Sequence, residues 1–443
     1  MSARQLFLLF LPLAFSNGLM ALGETVVGAS LSRWPDPVIA LAAFGSAFNV
    51  ALVIEGPVIM LLHASNALVR DRATYRLVRG FTIALGASLA LLHALVAFTP
   101  LYDVIFRSVL HLPAPVASEA RAAFIAMLPF TPAVGWRRFL QGIMIRQGRT
   151  TPVGIGTVVR FGTLLTVVAA GSVAVRSAVV PSAAVGAFAL SMSVVAEAAY
   201  THRVARRAVR AVPAEAAGTP AGSASLTWGQ LLRFYWPLAS TSVVVYLARP
   251  VVTAALARGV AVQASLAGWP VLTNTLFLFV DSLSMLQQLV IPYAEGPTRA
   301  VVRRVAVRLA LAAGAAIALL GLSPLGELYL SRVIGLRGEV LQLVGTALGL
   351  AVPYPAGLVL QSWFQGILVR QKWTAAITAG AVINLLVLSA VSYTGVAVTR
   401  LPGLYLLTAG MILGLLAEGA WLALVARAAE GQTRAPVTRG LPG

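Results

Sequence analysis

The sequence predicts an all-α integral membrane protein, with twelve transmembrane helices in two pseudo-symmetric six-helix lobes. Three observations carry that prediction. The 443 residues are 59% hydrophobic and 11% charged, with a mean hydropathy of +0.87, which is more apolar surface than a water-soluble domain of this length could hide. Apolar runs of about 20 residues, the length that crosses a bilayer, recur twelve times. One stretch also occurs twice: Gln141-Gly142-Ile143-Met144-Ile145-Arg146-Gln147 followed by Thr150, and Gln365-Gly366-Ile367-Leu368-Val369-Arg370-Gln371 followed by Thr374, at a spacing of 224 residues. A repeat of half the chain sets the architecture before any finer reading.

The first six runs fall at residues 6–31, 38–68, 77–98, 121–145, 152–175 and 179–202, and the second six at 231–257, 262–292, 301–322, 340–369, 373–396 and 401–426. The first opens like a signal peptide, with one arginine before an apolar stretch. It continues through Asn17 and Glu24 without a small-residue cleavage site, so it is read as the first span. Between the sixth and seventh runs lie Arg203, Arg206, Arg207 and Arg210, then a stretch from Pro213 to Ser223 whose Ala/Gly/Pro/Ser composition cannot bury a core. The expected division is an N-terminal lobe at 1–203, a linker at 204–230, a C-terminal lobe at 231–427 and a tail at 428–443.

Charge sets the orientation. Loops after even-numbered helices and the C-terminus hold eighteen basic residues, and loops after odd-numbered helices hold eight, which places both termini in the cytoplasm. Six spans per lobe is an even number, so the lobes enter the membrane the same way round, related by a pseudo-twofold along its normal. The formal charge of +19 is not a nucleic-acid signal, because there is no basic helix or stacking platform. The arginines mark the ends of apolar runs, where they anchor to anionic lipid. With no cysteine, disulfides and thiolate metal sites are excluded.

The duplication extends through the chain. Phe10-Leu11-Pro12-Leu13 matches Tyr235-Trp236-Pro237-Leu238, and Glu24-Thr25-Val26-Val27 with Arg33 matches Arg249-Pro250-Val251-Val252 with Arg258, at a spacing of 225. Thr99-Pro100-Leu101 with Asp103 matches Ser323-Pro324-Leu325 with Glu327 at 224, Leu128-Pro129-Phe130 matches Val352-Pro353-Tyr354, and Ala196-Glu197-Ala198 matches Ala417-Glu418-Gly419 at 221. The Thr-Pro and Ser-Pro copies carry a hydroxyl cap, proline at the first helical position and an acid in the first turn, so each is expected to start a short external helix.

Charge inside the spans is the informative feature. A Glu, Asp or Arg near the bilayer centre costs about 2.5–3.5 kcal/mol and must face a partner or a wet cavity. Glu24, Glu55, Arg137, Arg138, Arg160, Glu197, Arg249, Asp281 and Glu418 are of this kind. Glu24 and Arg249 hold equivalent places in the repeat and form a natural cross-lobe pair, with solute binding and fixed docking of the lobes as its two possible purposes. Pro250 leaves a carbonyl of helix 7 free, and broken helices at mid-depth are where transporters hold solute. Adjacent helix positions point about 100° apart, so Arg137 and Arg138 do not share a face. The arginine fork suits carboxylate or phosphate oxygens; the alternative is that both neutralise Glu197 or Glu55 inside the first lobe.

Glu24, Glu55 and Asp281 are candidates for a coupling proton or sodium ion. Arg160, Glu197 and Glu418 are candidates for pairing within a lobe. Asn17, a mid-span amide, and Asp281 are placed with the solute candidates, while Asn49, Asn274, Gln141, Gln365 and Asn384 are expected mainly to bond between helices. His63 and His93 have no spaced partner, so no metal site is expected. No nucleophile with its base, acid pair or phosphate-cradling loop is present, so neither an enzyme nor a cofactor is expected.

Phe139-Leu140-Gln141-Gly142-Ile143, followed by Arg146-Gln147 and Arg149-Thr150-Thr151-Pro152, resembles the multidrug/oligosaccharidyl-lipid/polysaccharide (MOP) flippase superfamily. Within it, the chain is most similar to the progressive ankylosis protein family. That likeness is carried by Phe234-Tyr235-Trp236-Pro237-Leu238-Ala239 and Arg249-Pro250-Val251-Val252, with support from Leu11-Pro12-Leu13, Gly23-Glu24, Gly56-Pro57 and Arg70-Asp71-Arg72. The resemblance implies the fold of multidrug and toxic compound extrusion (MATE) proteins and export of small anions such as pyrophosphate, citrate or nucleotides. It also implies a central cavity at which Glu24 and Arg249 are the carried-over positions. The sequence departs from the family pattern at Arg137-Arg138, after Trp136.

The expectation is therefore an alternating-access carrier in the cytoplasmic (inner) membrane, a monomer among lipids. Arg249 with Arg137 or Arg138 would hold the anionic group, and Glu24 would pair with Arg249 when solute is absent. Three alternatives stay open: a MATE-type organic-cation antiporter working through Glu24, Glu55 and Asp281, a lipid-linked sugar flippase, and a non-transporting membrane scaffold.

Overall fold

A computed structural model describes residues 22–147, 149, 151–176, 180–214, 226–280, 283–284, 286–287, 290, 298–371 and 373–434. Asn17, Asp281 and Thr150 lie outside the described residues. In chain order the first half contains α1 (Leu22–Leu31), α2 (Pro37–Ile59), α3 (Leu61–Leu68), α4 (Arg72–Phe98), α5 (Leu101–Asp103) running into a π-helix at Val104–Val109, α6 (Ala114–Ala126), α7 (Phe130–Arg146), α8 (Thr151–Arg176) and α9 (Ser182–Arg210). The second half contains α10 (Trp228–Leu256), α11 (Val262–Val280), α12 (Arg299–Leu322), α13 (Pro324–Leu328) running into a π-helix at Tyr329–Ile334, α14 (Gly338–Leu350), α15 (Tyr354–Arg370), α16 (Thr374–Val398) and α17 (Gly403–Arg434).

Where they are described, the twelve apolar runs fall mainly on helices or helix pairs. Among the described residues, seven helices are long and apolar enough to cross a membrane, and an eighth results when α14 and α15, bent by 49°, are taken as one span. The criterion therefore falls short of twelve. The run at 121–145 is split between α6 and α7 at Met127–Pro129, as the run at 340–369 is split at Ala351–Pro353. The two breaks share one geometry: Phe130 N donates to Met127 O at 3.0 Å, and Tyr354 N donates to Ala351 O at 2.9 Å. Proline at 129 and at 353 supplies no backbone N–H, so the chain turns there without losing a donor.

Local chemistry explains several helix starts. Asp71 caps α4 by accepting from Thr74 N at 2.8 Å, while Thr74 Oγ1 takes the Asp71 N–H at 3.1 Å. Thr227 and Gln230 make the same reciprocal box at the start of α10. Thr99 and Ser323 each accept from the N–H two residues on, at 3.3 Å in both cases, so the two short helices begin as their hydroxyl-proline sequences predict.

The described residues fall into two compact units. The first holds 22–271 with 329–344, and the second holds the described parts of 272–328 and 345–443. Within the first unit, α2 is buried along most of its length and packs on α6, α7, α9 and α10. Its seam with α10 depends on small residues and a few polar contacts. A Cβ on Gly56 would lie 3.4 Å from Tyr246 Cδ2 and from Val243 N. Asn49 Nδ2 donates to Thr253 Oγ1 at 3.1 Å, and the Tyr235 hydroxyl donates to Pro57 O. Asn49 is thus an interhelical amide, as expected. Within the second unit, α17 packs on α15 and α16. Helices such as α8 and α12 turn exposed side chains, among them Val158, Val173, Leu311 and Leu322, outward, the pattern of a lipid-facing helix.

Candidate functional site

The site is built from α7 upward. Residues at i and i+4 share a helix face, and on α7 that face presents Arg137 and Gln141 to Glu197 on α9. The Arg137 guanidinium pairs with Glu197 Oε2, and Gln141 Nε2 donates to Oε1 at 3.3 Å. Glu197 is 1% exposed and Arg137 6%, so both charges are out of water and depend on one another. Helix α8 closes over the carboxylate at Gly156, where a Cβ would stand 3.3 Å from Glu197 Cγ. One turn along α8 is Arg160, half-buried, within electrostatic range of Arg137, Glu197, Glu24 and Glu55.

Around this pair lies a second layer of charge. Glu55 on α2 is 5% exposed, and the charges of Arg137, Arg138, Arg160 and Glu24 act on it. Its Oε2 has no hydrogen-bond partner, and neither do the buried Nε atoms of Arg137 and Arg138. The three atoms belong to residues whose charges act on one another. Glu24 on α1 has Arg249 as its strongest charged neighbour and Arg160 as the next. Arg249 itself is exposed. Among the described residues, Glu24 and Arg249 do not form a contact ion pair, and they act on each other through space.

Tyr246, one turn before Arg249 on α10, is a residue the sequence reading missed. It is within electrostatic range of Glu55, Arg249, Arg138 and Glu24, so it borders the cluster. Nothing in the linear sequence singles out a tyrosine in an apolar run. The available signal was its i, i+3 relation to Arg249.

The second repeat builds the same niche without the cations. Glu418, also 1% exposed, accepts from Gln365 Nε2 at 3.1 Å and from Asn384 Nδ2 at 2.8 Å. Gly380 replaces Gly156, with a Cβ position 3.2 Å from Glu418 Cγ. At the repeat spacing of 224, Gln361 stands for Arg137, Ser362 for Arg138 and Asn384 for Arg160. The carboxylate, the glutamine and the glycine are duplicated. The arginines are not. Counting Glu24, Glu55 and Glu197 against Arg137, Arg138, Arg160 and Arg249, the first unit's cluster carries one positive charge in excess.

A duplicated all-helical chain with charge held among its apolar helices has the architecture of a membrane carrier, and the comparisons with known proteins agree. The fold is that of MATE transporters. An inward-facing MATE family transporter of the MOP superfamily aligns with a TM-score of 0.68 at 14% identity, over 95% of this chain and 99% of that one. An outward-facing MATE structure aligns at 0.61 and 14%, over 98% of each chain. A MOP superfamily transporter from Pyrococcus furiosus Vc1, described as having a binding pocket of reversed polarity that suggests a different function, aligns at 0.57 and 14%, over 97% of each chain. The chain belongs to the progressive ankylosis protein (ANKH) family, whose sequence pattern matches residues 3–287. Family and fold together make it an integral membrane transporter.

Proposed function

We propose that this transporter moves small organic or phosphate-containing anions, citrate-like or pyrophosphate-like, by alternating access of two lobes at 1–203 and 231–427. The observation that carries the reading is the asymmetry of the repeat. Among the described residues arginines gather in the first repeat's niche and not in the second's, with Arg137 buried, Arg138 and Arg160 half-buried and Arg249 exposed beside them, and with Arg249 counted the four outnumber the three glutamates by one. A low-dielectric site with surplus guanidinium groups favours a ligand that brings negative charge and several acceptor oxygens. Arg249, exposed on α10, is the group solute reaches first, with Arg138 behind it. Arg137 is committed to Glu197 and holds the niche in shape. Glu24 competes with solute for Arg249, so binding loosens the hold of α1 on α10.

Both termini are assigned to the cytoplasm and the chain to the cytoplasmic membrane as a monomer. Protons or sodium would couple through Glu24, Glu55 or Asp281. The test is uptake of radiolabelled citrate and pyrophosphate into proteoliposomes, with ethidium as a cation control, for wild type and Arg249→Ala. Anion uptake abolished by Arg249→Ala supports the assignment, and equal uptake by the two proteins refutes it. One observation favours a second reading. Glu55 Oε2 is buried without a partner among the described residues, and the inward-facing structural neighbour is described as a multidrug resistance MATE family transporter. Uptake of ethidium alone would establish that cation reading, with Glu55 as its working carboxylate.

A further inference from the structure

We infer that Arg33 and Arg258 are the paired latches of a gate that holds the outer face of the carrier closed. The two arginines occupy equivalent repeat positions, 225 residues apart, and each reaches out of its own repeat to the end of a π-helix in the other. Arg33 follows α1 in the first repeat. Its NH1 donates to Ile334 O at 2.8 Å, and its NH2 donates to Arg332 O and Val333 O at 2.6 Å each. Arg258 follows α10 in the second repeat, and its NH2 donates to Val109 O at 3.2 Å. The same nitrogen lies 2.9 Å from His111 Nδ1, which accepts when the ring proton is on Nε2. Val109 and Ile334 end the two π-helices and are themselves 225 apart. The contact is therefore reciprocal, first repeat to second and second repeat to first.

The chemistry suits a latch rather than a permanent weld. The last carbonyls of a helix have no partner within it, and the partial negative charge at that end favours a cation. A guanidinium fork satisfies several of them at once. Each arginine also keeps a bond to its own helix, Arg33 NH1 to Ala29 O and Arg258 NH1 to Ala254 O, both at 2.6 Å. Release from the far carbonyls therefore leaves neither side chain stranded, and the groups are exposed enough for water to replace the lost bonds. The approach is tight on the Arg33 side. Gly335 has φ +93°, and a Cβ there would meet Ser32 Oγ at 3.0 Å and Arg33 Cγ at 3.1 Å, so only glycine admits the arginine. Beside it the Ser32 hydroxyl donates to Ile334 O. On the charge count these segments lie on the outer face, the face that must open when the inner one closes, so the inference rests on the alternating-access reading.

The absence of native cysteine makes a direct test possible. Ser32→Cys, a buried reporter beside the first latch, is treated with a membrane-impermeant maleimide in right-side-out and inverted vesicles, in backgrounds with Arg33→Gln, Arg258→Gln or Arg121→Gln. Arg121 is the control, because its Nε–Ala97 O bond of 3.1 Å stays within the first repeat. Losing the charge-assisted contacts of one latch arginine from the closed state should raise the outside labelling rate by at least about tenfold. The rise is expected for Arg258→Gln as well as Arg33→Gln, although Arg258 does not touch Ser32, and not for Arg121→Gln. Arg33→Lys and Arg258→Lys, which keep the charge without the fork, give smaller rises and serve where a glutamine variant is not monodisperse. Unchanged labelling in the Arg258 variants overturns the proposal, and a rise only in inverted vesicles overturns the outer placement. Because labelling needs no solute, failure of the anion assignment would leave this result standing, and anion transport with unchanged labelling would refute the latch alone.

Discussion

The two buried carboxylates make an internal experiment on what a membrane charge costs. Glu197 and Glu418 are both 1% exposed, sit against a glycine at nearly equal distance and accept from an equivalent glutamine. They differ in the second partner, a guanidinium for Glu197 and an amide for Glu418. Glu197→Gln removes the only contact ion pair of Arg137 among the described residues and leaves that cation with Arg138 and Arg160 as neighbours. Breaking one side of a buried pair costs about 3–5 kcal/mol. Glu418→Gln removes a charge that has no contact cation among the described residues. It keeps the side-chain volume and one acceptor oxygen, and the Asn384 amide can turn to offer its own oxygen, so the cost is about 1 kcal/mol. The expected difference is thus at least about 2 kcal/mol. Thermal inactivation of purified protein in detergent, followed by loss of the monodisperse peak, reads it directly. Arg137→Gln combined with Glu197→Gln should recover most of the single-mutant loss, since no buried charge is then left alone. Equal losses for Glu197→Gln and Glu418→Gln, or no recovery in the double variant, would refute the assignment of Arg137 to Glu197 as a mutually dependent pair.

Other consequences are as concrete. Tyr246→Phe should raise KM for the transported anion about five- to tenfold, the loss of one hydrogen bond from the hydroxyl to solute, with unchanged expression; an unaltered KM would remove Tyr246 from the site. Gly142→Ala places a methyl against Ser65 Oγ and Leu62 O, with Asn66 N at 3.0 Å. It should cost about 1–3 kcal/mol by overpacking. Gly162→Ala, on the same scale, meets nothing within 4 Å and should be stabilising by up to about 1 kcal/mol. A thermal-shift comparison of the two glycine variants that shows no difference would contradict the helix approach described at Gly142. For the α2–α10 seam, a double-mutant cycle of Asn49→Leu and Thr253→Val should yield a coupling of about 0.6 kcal/mol, and additive effects would show that the two side chains do not communicate.

Much of this was legible in the chain because duplication makes structure visible twice. The spacing near 224 paired the segments around Pro129 and Pro353, although each was read as part of one unbroken span, and it located the two hydroxyl-proline starts. It also aligned the two buried glutamates. Burial cost marked Glu55, Arg137 and Glu197 as residues that need company. What periodicity could not say is which partner each one takes, because a helix face spans several neighbours at once. Arg137 and Arg138 are adjacent, yet only packing against α9 gives Glu197 to Arg137. Arg33 and Arg258 were visible as a matched pair, but a loop arginine reads as an interfacial anchor until the far carbonyls of a π-helix are in place. The π-helices carry no sequence signature beyond their caps.

The pattern of what the repeats share and where they differ bears on mechanism. Elements that must move alike are duplicated: the glycine that admits the buried carboxylate, the π-helix at Val104–Val109 and Tyr329–Ile334, and the arginine that reaches each one from the opposite repeat. Elements that would touch solute are not. Arg137, Arg138 and Arg160 correspond in the repeat to Gln361, Ser362 and Asn384, and Glu24 corresponds to Arg249. Converting Glu418's niche toward that of Glu197, by Asn384→Arg, should therefore add buried charge without adding transport. If the double variant Asn384→Arg with Arg160→Asn kept wild-type anion uptake, the charge would be serving either repeat equally, and the asymmetry would carry no functional meaning. Loss of uptake in that variant, with a monodisperse protein, ties the excess positive charge to the first repeat and to α10.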